Sequence, residues 1–207
     1  MNLTNGQRVK KLAFNLCRNP DLILPWLRQS LFYKGLPVDL NLPWWSYRAI
    51  EAADKIVPGR KIFEYGTGGS TTRYSAVAQS VTSVEDNDKW LELVRDRLSR
   101  KGLDAHLIHH PFDFSGDEDF SESSFLKCID TVDWDMLIID GQDNNQRHRM
   151  TCFRHAEPSA RPGSIIIVDD FWRYEDLLHE TRAKKVDVFE SVGPCRMGVT
   201  STAFFYY

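Results

Sequence analysis

The segment Lys61-Ile-Phe-Glu-Tyr-Gly-Thr-Gly-Gly-Ser70 joins an apolar, strand-like run that ends in an acid to a loop with glycine at 66, 68 and 69. Glycine there lets the backbone turn sharply and approach a ligand with no Cβ in the way, and a helix opening at Ser70 would turn unpaired N–H groups toward that ligand. Nineteen residues beyond Gly66, Glu85 closes a second strand-like run, Ser80-Val-Thr-Ser-Val-Glu85. A carboxylate so placed suits a ribose, because it accepts protons from both hydroxyls, at about 1.5–3 kcal/mol for each charged hydrogen bond. Loop and acid together have the chemistry of a nucleotide-type cofactor site.

Three more acids follow apolar runs: Asp140 after Met136–Ile139, and Asp169 and Asp170 after Ile165–Val168. In an open parallel sheet the ligand crevice lies beyond the carboxyl ends of the strands, so all three qualify for it. Carboxylates gathered there repel one another unless a cation offsets them, and Mg²⁺ meets that need with oxygen ligands. Asp140, Asp169 and Asp170 are therefore candidate metal ligands, and groups that hold or orient a substrate. A second reading needs no metal: Asp140 before Gly141 caps the next helix, and Asp169 pairs with Arg147, Arg149 or Arg173. His148, two helical turns beyond Asp140, is a candidate base with an ordinary pKa of about 6.5. Between Arg147 and Arg149 it reads equally as a solvent-facing or core-edge residue. His109 and His110 lack the Cys or His company of a zinc site, and their role reads as structural.

The elements that must position these groups alternate. Strands are expected at 61–65, 80–85, 104–109, 134–140 and 164–169, with crossover helices such as Asn87–Lys101 and Asn144–Ala160 between them. Unbroken apolar runs in the fourth and fifth strands predict helices on both sheet faces. Val186–Val192, a turn at Gly193–Gly198 and Val199–Tyr207 predict an antiparallel hairpin. The expected fold is α/β, a Rossmann-like, seven-stranded, mostly parallel sheet with helices on both faces. Residues 113–124 are acidic and polar and predict an exposed loop. Ahead of the domain at 45–207, residues 1–44 read as a helical extension or cap, with two short amphipathic helices over 7–34. Trp44, Trp45 and Tyr47 either wall the substrate cleft or staple the extension to the core.

With Glu64-Tyr-Gly-Thr-Gly-Gly-Ser-Thr71, Ser83-Val-Glu85, the run Asp135–Asp140, the stretch Pro162–Asp170 and the terminal hairpin, residues 45–207 resemble the class I S-adenosyl-L-methionine (SAM)-dependent methyltransferases. The resemblance implies that Glu64, Gly66, Thr67, Gly68, Gly69, Ser70, Glu85 and Asp140 serve the cofactor, that Asp113 contacts its adenine, and that the seventh strand runs antiparallel. Within the family the loop and the Asp140-Gly141 step look most similar to small-molecule and sugar O-methyltransferases. The acids also resemble the metal site of the catechol-type enzymes, yet the lysine those carry after the fourth strand is missing from Gln142-Asp-Asn-Asn145. A dinucleotide enzyme would carry a third glycine at position 71, where this chain has Thr.

The implied activity is methyl transfer from SAM to an oxygen of a small molecule or sugar, with Mg²⁺ as a candidate helper. The rival is a methyltransferase-like module that holds the cofactor without chemistry. With 207 residues, 42% of them hydrophobic, and a net charge of −3, the chain has no global basic field, so neither nucleic acid nor membrane is expected as a partner. An Asn-Pro-Pro-Tyr type motif for base amines is also absent. Four scattered cysteines without a CxxC pair predict reduced thiols and a cytoplasmic protein, and apolar residues in the extension leave a homo-oligomer open.

Overall fold

The computed structural model describes residues 4–116, 118–144 and 147–207. Seven strands form one sheet: β1 (Lys61–Tyr65), β2 (Ser80–Glu85), β3 (His106–His109), β4 (Met136–Ile139), β5 (Ile165–Val168), β6 (Lys185–Val192) and β7 (Val199–Tyr206), in the order 3-2-1-4-5-7-6. β1 pairs in parallel with β2 and β4, and β7 runs antiparallel to β5 and β6. The helices are α1 (Asn5–Arg18), α2 (Ile23–Trp26), α3 (Tyr47–Ile56), α4 (Gly69–Tyr74), α5 (Asp88–Arg100), α6 (Ser124–Lys127), α7 (His148–Ala156) and α8 (Leu177–Glu180). The seven-stranded Rossmann-like sheet and its terminal hairpin are thus present as expected.

Strand alternation divides the core in two. Phe63, Tyr65, Leu137, Ile139, Ile166, Val168 and Phe205 face one side, against Phe153 of α7, Phe171 and Leu177. Ile62, Met136, Ile138, Ile165, Ile167 and Phe204 face the other, against α3, against Leu22 and Trp26 of the N-terminal arm and against Trp45 just after it. Burial on both faces is why β4 and β5 are apolar without interruption. The arm shares this second core with the sheet, and its helices are longer than expected: α1 runs to Arg18, and after a turn at Pro20 the chain is helical again from Ile23 to Phe32. Ser46 caps α3 by accepting from the Ala49 N–H.

Residues 113–124 are largely exposed, as expected, with Phe114, Phe120 and Ser123 turned inward. Phe114 and Phe120 are buried and join Phe112 and Phe125 in an aromatic cluster, because the rings gain from burial while Asp113, Glu118, Asp119 and Glu122 stay exposed. Asp117 of this stretch, and Asn145 of the Gln142–Asn145 run, lie outside the described residues.

Candidate active site

Strand order reverses between β1 and β4, since β2 and β3 lie to one side of β1 and β4 and β5 to the other. A crevice opens at such a switch point, beyond the strand ends. Gly66 leaves β1 with φ 90°, and a Cβ on it would stand 2.5 Å from the Gly141 Cα, so the two strand exits approach through glycine alone. Its N–H donates to Val84 O at 2.8 Å. Thr67 then donates from backbone N and from Oγ1 to the same oxygen of Glu85, at 2.9 and 3.0 Å, while the Trp90 indole N–H donates to Thr67 O at 2.7 Å.

Glu64 works beneath this loop. Its carboxylate is buried and accepts from the hydroxyls of Ser70, Thr71 and Ser83. Thr71 Oγ1 in turn accepts from the Gly68 N–H at 2.8 Å, which fixes the loop from below. Burial raises the Glu64 carboxyl to about 7 against the lowering effect of those hydroxyls. Burial also raises Glu85 to about 7, offset in part by the Thr67 and Asn87 N–H groups.

On the other side of the switch point, three acids meet two arginines. Asp140 accepts from the Trp45 indole N–H at 3.0 Å and lies 3.2 Å from the Arg149 guanidinium. Arg149 also donates to the carbonyls of Gly141, Asp169 and Asp140, so it clamps the ends of β4 and β5. Asp170, in the left-handed region at φ 49°, accepts from Thr200 Oγ1 at 2.8 Å and from Arg196 at 3.2 Å. Asp169 is 2% exposed and accepts on Oδ1 from Thr202 at 2.7 Å; among the described residues no group donates to its Oδ2. Burial, then the charges of Asp140 and Asp170, raise Asp169 well above the usual carboxylate range. Burial pushes Asp170 the same way, but Arg196, Arg149 and Thr200 outweigh it and leave that carboxyl below its ordinary value.

These two halves line one crevice of about 530 Å³, with Gly66–Gly69, Glu85 and Trp90 on one side and Asp140–Gln142, Arg149, Asp169, Asp170 and Arg196 on the other. Leu36, Pro37, Val38, Leu42 and Trp44 of the arm roof it. The arm is pressed onto the loop, since a Cβ on Gly69 would stand 1.7 Å from Leu42 O. Trp44 therefore walls the crevice, Trp45 is buried behind Asp140, and Tyr47 staples the arm by donating to Gln29 at 2.6 Å.

Gly66, Thr67, Gly68, Gly69, Glu85, Asp140, Asp169 and Asp170 thus come together at the crevice, and four other candidates do not line it. Glu64 and Ser70 bond to each other under the loop. Asp113 turns back on its own chain, accepting from Ser115 N and Oγ. His148, the candidate base, is packed edge-on against Phe114 and Phe120 with Nδ1 3.2 Å from Asp143, because the aromatic cluster of residues 112–125 encloses it. Nor does the structure support the magnesium expectation. Arg149 and Arg196 already neutralise Asp140 and Asp170, and among the described residues no group of three His, Cys, Asp or Glu is placed to hold a metal ion.

The clamp by Arg149 was not expected, although one signal pointed to it. Arg149 shares the helical spacing of Cys152, Phe153 and Ala156, all buried, so the sequence already put it on the inward face of α7. Arg196 arrives from the β6–β7 turn and carries no comparable signal.

The O-methyltransferase TomG of Streptomyces achromogenes, solved in complex with SAM, matches 99% of this chain and 100% of its own at a TM-score of 0.61 and 14% identity. An O-methyltransferase of Bacillus cereus in complex with SAH matches 95% of this chain and 97% of its own, at 0.60 and 17%. The fold is that of the class I methyltransferases. A precorrin 8w decarboxylase of Methanobacterium thermoautotrophicum also matches, over 77% of this chain and 88% of its own, at 0.58 and 13%, so the fold hosts differently named activities. No family model matches the sequence, and no curated protein does. Among the described residues no helix is long and apolar enough to cross a membrane.

The residues of the crevice fit SAM. Its volume lies in the range of about 300–1,000 Å³ usual for cofactor and small-molecule sites. Glu85 uses three of about four carboxylate acceptor positions on Thr67 and Asn87, which leaves one for a ribose hydroxyl. A Cβ on Gly68 would meet nothing within 4 Å, so the loop is open on its crevice side.

Proposed function

We propose that this chain is a SAM-dependent methyltransferase that methylates an oxygen of an uncharged small molecule or sugar. The observation that carries the reading is that the Gly66–Gly69 loop and Glu85 line the same crevice as three strand-end acids, of which Asp169 and Asp170 each keep an oxygen without a donor among the described residues, Asp169 being the more deeply buried. When bound, SAM supplies an electrophilic methyl group on a sulfonium. Glu85 would hold the ribose, and the glycine loop, with no Cβ in the way, would let SAM approach its backbone. Asp169 Oδ2 is the open acceptor for a substrate hydroxyl, which aligns the nucleophile and takes up its proton as the methyl transfers. Arg149 keeps the ends of β4 and β5 at fixed spacing, and Trp44 with Leu42 and Val38 excludes water from above. Two acids paired with two arginines leave Asp169 as the one carboxylate of the acceptor side without a basic partner among the described residues, which disfavours an anionic acceptor and suits Asp169 to take up a proton.

Calorimetric titration with SAM, S-adenosylhomocysteine and NAD tests the cofactor. Micromolar binding of the first two alone supports the reading, and NAD binding, or no binding at all, overturns it. A screen of hydroxyl acceptors then tests the transfer.

A further inference from the structure

The net charge of −3 averages over a division along the chain. Residues 1–34 hold six Lys or Arg against a single acid, Asp21, a charge of +5, which leaves −8 on the rest. Asp21 is itself neutralised by Arg48 of α3 at 2.8 Å. Lys11 pairs with Glu190 at 2.7 Å, but among the described residues no acid pairs with Arg8, Lys10, Arg18, Arg28 or Lys34.

These free cations sit among apolar side chains that face outward. Leu12, Asn15 and Leu16 turn α1 toward the body, and the opposite face exposes Lys10, Ala13, Phe14, Cys17 and Arg18 at the spacing of one helical stripe. After the turn at Pro20, Leu24, Arg28 and Phe32 are exposed four residues apart, while Trp26 and Leu31 pack inward. Phe14, Leu24 and Phe32 are 59%, 54% and 76% exposed, and the Arg18 guanidinium lies 4.5 Å from the Phe14 ring centroid.

Phe and Leu on a helical surface, flanked by unpaired Lys and Arg, is the composition of a segment that lies in the headgroup region of a bilayer, the apolar groups inserted and the cations against anionic lipids. We propose that the N-terminal arm docks the protein on an anionic lipid surface through Phe14, Leu24 and Phe32, with Arg8, Lys10, Arg18, Arg28 and Lys34 meeting the lipid charges. The acidic body of a second copy is a poorer partner, because Asp39, Asp54, Asp133 and Glu180 are already paired with that body's own basic residues. The whole-chain charge that argued against a membrane does not bear on this local field.

The test is co-sedimentation of the full chain with vesicles of phosphatidylcholine alone and of an equal mixture of phosphatidylcholine and phosphatidylserine, at low and high salt. Binding is expected to the mixed vesicles, to fall in high salt, and to drop roughly fivefold for each of Lys10→Gln and Arg28→Gln. The double variant Phe14→Ser/Phe32→Ser should lose about tenfold or more, with its thermal unfolding unchanged because both rings are exposed. Equal binding to both vesicle types, no binding to either, or binding insensitive to the double variant overturns the proposal. A dimer that the same double variant dissolves also overturns it and assigns the face to a second copy.

Discussion

Thr67 spends both of its donors on one oxygen of Glu85, while the Asn87 N–H donates to the other at 3.1 Å. The glycine loop and the end of β2 are therefore one unit, held by the carboxylate that the ribose would also use. Glu85→Ala should lower S-adenosylhomocysteine affinity by roughly ten- to a hundredfold, the value of one charged hydrogen bond. Since burial raises Glu85 to about 7, affinity should also weaken as pH falls below that point and the carboxylate is protonated. Calorimetry across pH 6–8, as round values about 7, checks both; an affinity unchanged in the variant removes Glu85 from the cofactor site.

Glu64 makes the opposite kind of prediction, about stability. Its folded pKa of about 7 stands above the ordinary 4.5, so between those values the folded state binds more protons than the unfolded state, and this carboxyl's contribution is lost as pH rises. Glu64→Gln, which stays neutral, should therefore gain on the parent protein between about pH 5 and pH 8, by roughly 2 kcal/mol. Urea unfolding of both proteins at the two pH values measures the gain, and a constant difference would place the Glu64 carboxyl at its ordinary value.

What the sequence made legible follows from what burial writes into it. β4 and β5 are apolar throughout because both faces are covered, and Glu85 stands at the distance that one short helix and one strand impose after Gly66. The side-chain partners of the acids were less legible, because they arrive from remote segments: Trp45 from just after the arm, Thr200, Thr202 and Arg196 from the hairpin. Counting carboxylates suggested a cation, and the reading without a metal named Arg149 but gave it to Asp169, whereas it pairs with Asp140, and Arg196 with Asp170. Of the readings of His148, the core-edge one fits its place, though the three phenylalanines that pack around it lie in a stretch whose acids masked their pattern.

Gly68 and Gly69 form a matched pair. A Cβ at 69 would collide with the Leu42 backbone, whereas one at 68, where φ is 171° and any residue fits, would enter open space. Gly69→Ala should cost about 1–3 kcal/mol of stability by forcing the arm off the loop. Gly68→Ala should leave the melting temperature unchanged and weaken cofactor binding alone. Thermal unfolding with and without S-adenosylhomocysteine separates the two, and a Gly69→Ala protein as stable as the parent would show that the arm is free to move.

Arg149 is buried against Asp140 and three carbonyls, so removing it leaves both a charge and several acceptors without a partner. Arg149→Met should destabilise the fold by about 3–5 kcal/mol. Pairing it with Asp140→Asn should recover part of that loss, because the uncompensated carboxylate is then gone. Denaturant unfolding of the two singles and the double gives the coupling, and additive losses would mean that the carbonyl bonds, not the ion pair, dominate.

Asp169 is where binding and catalysis can be told apart. One of its oxygens is held by Thr202 and the other has no donor among the described residues, while Glu85 and the glycine loop are tied together on the far side of the switch point. Asp169→Asn keeps the size and the Thr202 contact but removes the proton acceptor, so kcat should fall about 10²- to 10⁴-fold, with S-adenosylhomocysteine affinity little changed. Because arginines already balance the neighbouring carboxylates, the parent enzyme should keep its full rate after exhaustive EDTA treatment. Loss of rate with EDTA would return the acids to a metal. An Asp169→Asn enzyme as fast as the parent would move the base elsewhere, since no other crevice carboxylate both is this deeply buried and keeps an oxygen without a protein donor among the described residues.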